Sequence, residues 1–476
     1  MKIYCAKFPC VPVPSFDAWF VSEDFVIREE LWEAVLKVVR DDSSPGLPLM
    51  YERRLNKDVK EFPDELKGLV EKRLRKLATL DKDIDSVKTD TIDPAEACRL
   101  VDGDFCDPVR LINKNEPTVP GKPTRNVSSV SLIDSIVDVI LDIMQLQEEV
   151  RLVSDGYEKG QHWPHPSTIG IDLQTPDNLA FLWRRFALRA RLAMERLRFH
   201  LYGDVSGWEY QFSVACHRMY QAWWVCLLNR VGGAPAWWLR LKKARNWCLM
   251  HPLLVSSSGQ MYSLSIAIML SGSRRTAHAN SVVRAAVPSV VAYPLLKSLP
   301  PQERVLDADA NGDDCAEESV YAKPHALIDA YAALGFKLTD VEYTADTEEV
   351  HFCSWIFRER KMQPESYGKA LMKLLAKKQV LDNVEYFQFH DRYVVTGLVS
   401  FVKLFPFIRT LLASDCLSVL LATGRISAVE HAECIALCSS PAEWKTNGNH
   451  ADAEQAQEVE GQGGSDGSGE SRGQSC

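Results

Sequence analysis

The chain has 476 residues, too many for one core of ordinary size, so two or three lobes are expected. Hydrophobic residues make up 46% and charged residues 25%, ordinary for a globular protein, and the formal net charge of -9 lends no support at the level of composition to nucleic-acid binding. More than half of that excess lies between Thr446 and Cys476, where Asp452, Glu454, Glu458, Glu460, Asp466 and Glu470 stand against Arg472 alone. The remaining body is near neutral and can still hold a local basic channel. The cysteines, 13 in number and scattered, form no Cys-x-x-Cys pair, which points to a reducing compartment without a disulfide framework. Cys434 and Cys438 read as two thiols on one buried helical face, ahead of a metal site.

No secretory signal is expected in Met1–Phe20, where Lys2, Lys7 and Asp17 stand among prolines. Ser43-Ser44-Pro45-Gly46-Leu47-Pro48 is a loop. Glu61–Leu80 reads as an amphipathic surface helix beginning near Pro63. Asp107–Arg125, rich in Pro, Lys and Arg, reads as extended chain with turns, and Val127–Val150 as one long helix. Ala180–Phe199 alternates Arg with apolar residues at helical spacing. Its Arg184, Arg185, Arg189 and Arg191 would line a channel or form a solvated face, with half of them expected on the latter.

Leu201–Asp204 is a short apolar strand ending in an acid. Trp223, Trp224, Trp237 and Trp238 lie in apolar surroundings and are expected to pack, not to stack on bases. Val305–Glu318 reads as two strands about a turn at Asn311-Gly312, followed by a helix over Ala322–Leu334 closed by Gly335. Val350–Phe357 reads as strand. The chain beyond Gly368 reads as mostly helical to about Cys438, and the stretch from Asn447 as disordered by composition. No apolar run suffices for an integral membrane segment: Val282–Leu299 is broken by Arg284 and Pro288, and Val394–Leu421 by Lys403, Pro406, Arg409 and Asp415. The sum is a mixed α+β chain with a small sheet held by helices.

Four segments carry chemistry. Gly312-Asp313-Asp314 sets two carboxylates at a hairpin turn, suited to Mg²⁺, which takes few protein oxygens and fills its shell from phosphates. A solvated turn is the bland alternative. Asp204-Val205-Ser206-Gly207-Trp208-Glu209 adds an acid at a strand end and a second acid five residues on. A strand-end carboxylate beside such a hairpin supplies ligands for two metals about 3.5–4 Å apart; the alternative is a helix cap. In Ser271-Gly272-Ser273-Arg274-Arg275-Thr276-Ala277-His278-Ala279-Asn280-Ser281 a glycine loop feeds a helix whose Thr276 and Asn280 share one face. That face suits a ribose hydroxyl, or belongs to an ordinary capped helix. Lys114-Asn115-Glu116-Pro117 with Lys122 and Arg125 suits a triphosphate, or forms a solvated basic loop.

The order of the four resembles the palm motifs of positive-strand viral RNA-dependent RNA polymerases. Lys114-Asn115-Glu116-Pro117 with Ser128–Asp134, the form Asp204-Val205-Ser206-Gly207-Trp208, and Phe352-Cys353-Ser354 look like the sobemovirus, polerovirus and barnavirus enzymes. The resemblance spans roughly Ser43–Phe357. It implies a right-hand α+β fold of fingers, palm with a small antiparallel sheet, and helical thumb. The implied division is 1–200 fingers and N-terminal segment, 201–215 first palm strand, 216–260 an insertion, 261–350 palm, 351–446 thumb and 447–476 tail.

By match of motif, two Mg²⁺ or Mn²⁺ ions would be held by Asp204, Asp313 and Asp314. Lys114 and Arg125 would meet the incoming triphosphate, and Ser271 and Gly272 would lie under the template and nascent pair. Thr276 and Asn280, with Glu209, would sense the ribose. Phe352, Cys353 and Ser354 would grip the primer strand, Ser44, Pro45 and Gly46 would guide the template, and Lys337 would protonate the pyrophosphate. The implied partners are template and nascent RNA, nucleoside triphosphates and a protein primer, with peripheral attachment to replication complexes in the host cytoplasm. The chain departs from the family at Glu209, where Asp is usual, and in the few cations between Lys114 and Arg125. The rival readings are a reverse transcriptase, whose hairpin usually has an aromatic before the acids, and a non-catalytic polymerase-like RNA-binding protein.

Overall fold

The computed structural model describes residues 24–114, 125–142, 167–169, 176–230, 235–344, 350–353, 355–358, 361–364, 417–418, 421–422 and 427–439. The chain divides into two units, Met1–Val380 and Leu381–Cys476. Of the expected features, the Lys122 cation, Ser354, most of the helical stretch beyond Gly368 and the acidic tail lie outside the described residues.

The first unit opens with helices α1 (Glu29–Val38), α2 (Asn56–Lys60), α3 (Pro63–Thr79) and α4 (Pro94–Asp102). Pro63 starts α3 and Asp64 and Glu65 lie in its first turn, where proline and acids suit a helix N-terminus. Strands β1 (Val109–Asn113) and β2 (Asn126–Ser129) then pair antiparallel, and residues 132–142 form α5. The long helix expected from Val127 therefore starts late. Val127 and Ser128 pair with Ile112 and Leu111, and the Ser131 hydroxyl accepts the Asp134 amide at 3.1 Å as a cap, so strand pairing overrides the apolar periodicity.

Leu31, Trp32 and Val35 of α1 share one core with Leu66, Val70, Leu74 and Leu77 of α3, with Ile136, Val137 and Ile140 of α5, and with Trp238, Leu241 and Ala244. Buried charge crosses this core. Asp134, Asp138 and Asp142 lie four residues apart on one face of α5. Asp134 meets Arg73 at 2.6 Å, Asp138 meets Arg245 at 2.8 Å, and Asp142 meets Lys242 at 3.0 Å and Arg275 at 2.5 Å. Each acid is matched by a cation, as burial of charge requires.

Helix α6 (Pro176–Glu195) leads into β3 (Phe199–Val205), the short α7 (Trp208–Gln211), α8 (Val214–Arg230) and α9 (Ala236–Met250). Strands β4 (Leu253–Val255) and β5 (Met261–Ser263) join the first pair in the order β2-β1-β4-β5, with β1 parallel to β4. Helix α10 (Thr276–Leu296) follows, then β6 (Ala308–Asn311), β7 (Asp314–Ser319), α11 (Pro324–Ala332) and β8 (Leu338–Tyr343). The central sheet has the order β6-β7-β3-β8 and is antiparallel throughout.

Alternation along a strand decides which face each side chain takes. Leu201 and Val205 of β3 pack with Val282, Val283 and Val287 of α10 and with Leu327 of α11. On the other face lies α6, where Arg185 and Arg189 are buried against Asp309 of β6. Arg184 and Arg191 of the same helix are exposed. Half of the arginines are thus solvated as expected, but the other half serve a buried ion cluster and not a channel.

Helix α10 is, among the described residues, the one helix of a length and hydropathy that would cross a membrane; 72% of its apolar stretch is buried inside the fold. The expected strand at Val350–Phe357 is two strands, β9 (Val350–Phe352) and β10 (Trp355–Arg358), because Cys353 takes a left-handed φ of +55° and turns the chain. With β11 (Lys361–Pro364) they form a third sheet. Trp223, Trp224 and Trp238 are buried as expected. In the second unit, α12 (Ala428–Ser439) is capped reciprocally by Ser427 and Glu430, and Cys434 is buried.

Candidate active site

Asp204 is the penultimate residue of β3, the inner strand between β7 and β8. The β6–β7 hairpin closes with Asn311 opposite Asp314, so the central turn residues are Gly312 and Asp313 and not Asn311-Gly312. Gly312 has φ +71° with open space where a Cβ would stand, so the backbone conformation alone asks for glycine there. Asp313 is exposed at the tip, and Asp314 is half-buried at the start of β7.

The strand end and the hairpin influence each other. Burial pushes the Asp204 carboxyl above the usual carboxylate range, the Asp313 charge adds to the rise, and Arg284 opposes it. Asp340 adds a further push. That residue sits where the β3–β8 register slips between Tyr202 and Asp204, and it holds φ +51°. Cys353 lies at the other side of the hairpin. Burial raises its thiol well above its ordinary pKa, and the thiol meets Asp314 and the Asn311 side chain. Phe352 is buried against Phe186, with ring centroids 5.1 Å apart.

Among the described residues no three His, Cys, Asp or Glu side chains converge as a ready metal cage. The donor chemistry still fits a divalent ion. Asp204 and Asp313 repel one another, a cation between them would relieve that repulsion, and substrate phosphates would complete the shell.

The glycine loop and α10 adjoin this centre. Ser271 Oγ accepts the Ser128 amide at 3.0 Å. A Cβ on Gly272 would fall 1.8 Å from the Ser128 carbonyl oxygen, so only glycine lets the loop pass β2. The Met269 amide donates to the Glu209 carbonyl at 2.8 Å, which fixes α7 to the chain entering the loop. Thr276 donates its hydroxyl to the Leu270 carbonyl. Asn280 is buried, and its Oδ1 makes no hydrogen bond.

The next turn of α10 holds two residues that the motif reading did not assign. Ser281 Oγ accepts the Gly312 amide at 2.8 Å. Arg284, fully buried, donates to the Gly203 carbonyl at 3.1 Å, the Asp313 carbonyl at 3.2 Å, the Glu317 carboxylate at 2.7 Å and the Tyr331 hydroxyl at 3.1 Å. The signal was present in the sequence: Thr276, Asn280 and Arg284 continue one spacing of four.

The remaining expected residues stand further out. The Lys114 amide donates to the Arg125 carbonyl at 2.8 Å, so both exposed cations stand at the base of one hairpin. Lys337 is exposed; its amide donates to Gln211 Oε1 at 2.7 Å and its carbonyl accepts the Ser206 amide at 2.9 Å. Gln211 thereby ties the loop after β3 to the start of β8. Ser44-Pro45-Gly46 abuts the start of α5: the Leu132 amide donates to the Pro45 carbonyl at 2.8 Å, and Gly46 has φ +68°.

Residues 172–363 match a family described as viral RNA-directed RNA-polymerase. The chain is 27% identical over 360 residues to the replicase polyprotein P2AB of Cocksfoot mottle virus, covering 72% of this chain and 33% of that protein. It is 28% identical to the replicase polyprotein P2AB of Southern bean mosaic virus, covering 76% and 34%. With protein P1-P2 of Potato leafroll virus it shares 28% identity, covering 58% and 24%. The chain thus spans about a third or less of the length of these relatives. In fold it is similar to the crystal structure of the RNA-dependent RNA polymerase of a human picorbirnavirus, with a TM-score of 0.50 and 13% identity over 70% of this chain and 61% of that one. The resemblance to viral RNA polymerases of the sobemovirus and polerovirus kind thus extends over a larger part of the chain than the motifs alone.

Proposed function

We propose that this chain is an RNA-dependent RNA polymerase that adds nucleotides from nucleoside triphosphates to an RNA 3′ end, directed by a template, in viral replication. The observation that carries the proposal is the strand-end Asp204 set beside the Asp313 hairpin, close enough that the Asp313 charge adds to the rise of the Asp204 carboxyl. The central sheet would be the palm, residues 1–200 the fingers with the N-terminal segment, and 351–446 the thumb.

In this reading Asp204, Asp313 and Asp314 hold two divalent ions. Such ions, when bound, activate the 3′-hydroxyl and neutralise charge on the departing pyrophosphate. The chain's own residues do the rest by placement. Lys114 and Arg125 draw in the triphosphate. Asn280, with its uncommitted Oδ1, and Thr276 receive the ribose hydroxyl near Glu209. Lys337, exposed beside the end of β3, donates the proton to pyrophosphate. Sequence is read by template pairing, so the protein needs shape and phosphate contacts and not base-edge contacts. A protein primer and attachment to cytoplasmic replication complexes belong to the same proposal.

The test is labelled-nucleotide incorporation on a primed RNA template with Mg²⁺ or Mn²⁺, wild type beside Asp313→Ala. Incorporation that depends on template and vanishes in the variant is expected. Folded wild type that incorporates nothing with either metal would move the reading to a non-catalytic RNA-binding relative.

A further inference from the structure

We propose that Arg284 is a positioning residue that holds the Asp204 strand end and the Asp313 turn at one fixed separation, so that the metal-binding carboxylates are set before substrate arrives. This rests on the polymerase reading above.

The guanidinium is planar and offers donors in a fixed fork. All three of its nitrogens are engaged. One bonds the carbonyl of Gly203, the residue before Asp204, and one bonds the carbonyl of Asp313 itself. The third bonds Glu317 and Tyr331, and the Tyr331 hydroxyl in turn donates to Glu317 at 2.7 Å. Glu317 lies on β7 and Tyr331 on α11, so one side chain joins β3, the hairpin turn, the next strand and the helix behind them. Arg284 and Glu317 are both fully buried, and Arg284 reaches main-chain carbonyls and not the candidate ligand oxygens. Its removal takes away no metal ligand. What it changes is the distance between ligands.

A lysine cannot reproduce this. Its ammonium is a point charge on one nitrogen and cannot bond two carbonyls and a carboxylate along three directions. Loss of Arg284 alone would leave Glu317 buried and unpaired, which unfolds proteins for reasons unrelated to positioning. The informative variant is therefore Arg284→Met combined with Glu317→Gln, which removes both charges and nearly keeps their volume.

The experiment measures Mn²⁺ binding to the nucleotide-free protein by electron paramagnetic resonance, kcat and KM for incorporation, and thermal melting. The double variant is expected to melt near the wild type and to bind Mn²⁺ about tenfold more weakly, as loss of an outer support does. Its kcat should fall about a hundredfold with KM for nucleotide little changed, the signature of displacement by about 1 Å. Arg284→Lys should fall between. Wild-type Mn²⁺ binding and kcat in a folded double variant, or wild-type kcat in Arg284→Lys, overturns the positioning role and leaves the polymerase reading standing. Wild-type protein that neither binds Mn²⁺ nor incorporates nucleotide overturns both.

Discussion

The Ser281 hydroxyl accepts the Gly312 amide at 2.8 Å while donating to the Ala277 carbonyl at 2.9 Å, and so fastens the acidic hairpin to helix α10. Ser281→Ala leaves the Gly312 N–H without its acceptor at a part-buried site, at a cost of about 1–3 kcal/mol. Urea unfolding should show that loss. Incorporation should fall at temperatures where the variant is still fully folded, because the turn that carries Asp313 has lost its anchor.

Two glycine variants should move stability in opposite directions. Gly272→Ala places a methyl 1.8 Å from the Ser128 carbonyl oxygen, and the strain of forcing the loop off β2 costs about 1–3 kcal/mol. Gly68 lies inside α3 with nothing within 4 Å of the new Cβ, so Gly68→Ala should stabilise by about 0.5–1 kcal/mol. Melting curves of the two variants beside the wild type decide both.

Asp138→Ala leaves Arg245 and Arg275 short of a partner in the core, with a cost of about 3–5 kcal/mol. Arg184→Ala removes an exposed cation and should stay within about 0.5 kcal/mol of wild type. Chemical denaturation of the two variants measures the contrast.

Burial lowers His200 from its ordinary value of 6.5 to about 4, and does the same to His217. The unfolded chain then binds more protons than the folded one between those pH values. Stability from these neutral rings is complete above pH 6.5 and is lost as pH falls toward 4, by at most about 3 kcal/mol for each. His200→Gln should flatten the acid limb of a stability–pH curve; an unchanged slope would contradict the assignment.

Asn280→Ala tests ribose selection. In the proposed site its unpaired, buried Oδ1 would accept one hydrogen bond from a ribose hydroxyl, and losing a bond of about 1.4 kcal/mol would lower the preference for ribonucleotides over deoxyribonucleotides about tenfold. The ratio of kcat/KM for the two substrates is the measurement.

Much of the centre was legible in the residues because its chemistry is local. An acid at a strand end, two acids at a glycine turn and a glycine loop before a helix each leave a mark within a few positions, and the structure brings the Asp204 strand end beside Asp313. Arg284 was harder to read. In the sequence it is a cation that interrupts an apolar run, and its meaning depends on carbonyls at Gly203 and Asp313 that no local pattern reveals. The same holds for Arg185 and Arg189, whose partner Asp309 lies more than a hundred residues away. Val127–Ser129 was misread as helix because strand pairing with β1 is a distant event, whereas apolar periodicity is a near one. Cys353 turned a single expected strand into two through a left-handed backbone that cysteine rarely adopts.

The place of β3 in the central sheet also sets an order of assembly. Both of its neighbours, β7 and β8, lie more than a hundred residues further along the chain. A ribosome that has just finished β3 has therefore made a strand with no partner on either edge. Asp138 and Asp142 of α5 are in the same condition until Lys242, Arg245 and Arg275 have emerged, whereas Arg73, the partner of Asp134, has already been made. Such non-local pairing is slow and leaves apolar and ionic surface open in the meantime. The nascent protein must stay unfinished across most of its first unit, and the centre built on Asp204 closes only when the residues of β8 have been made.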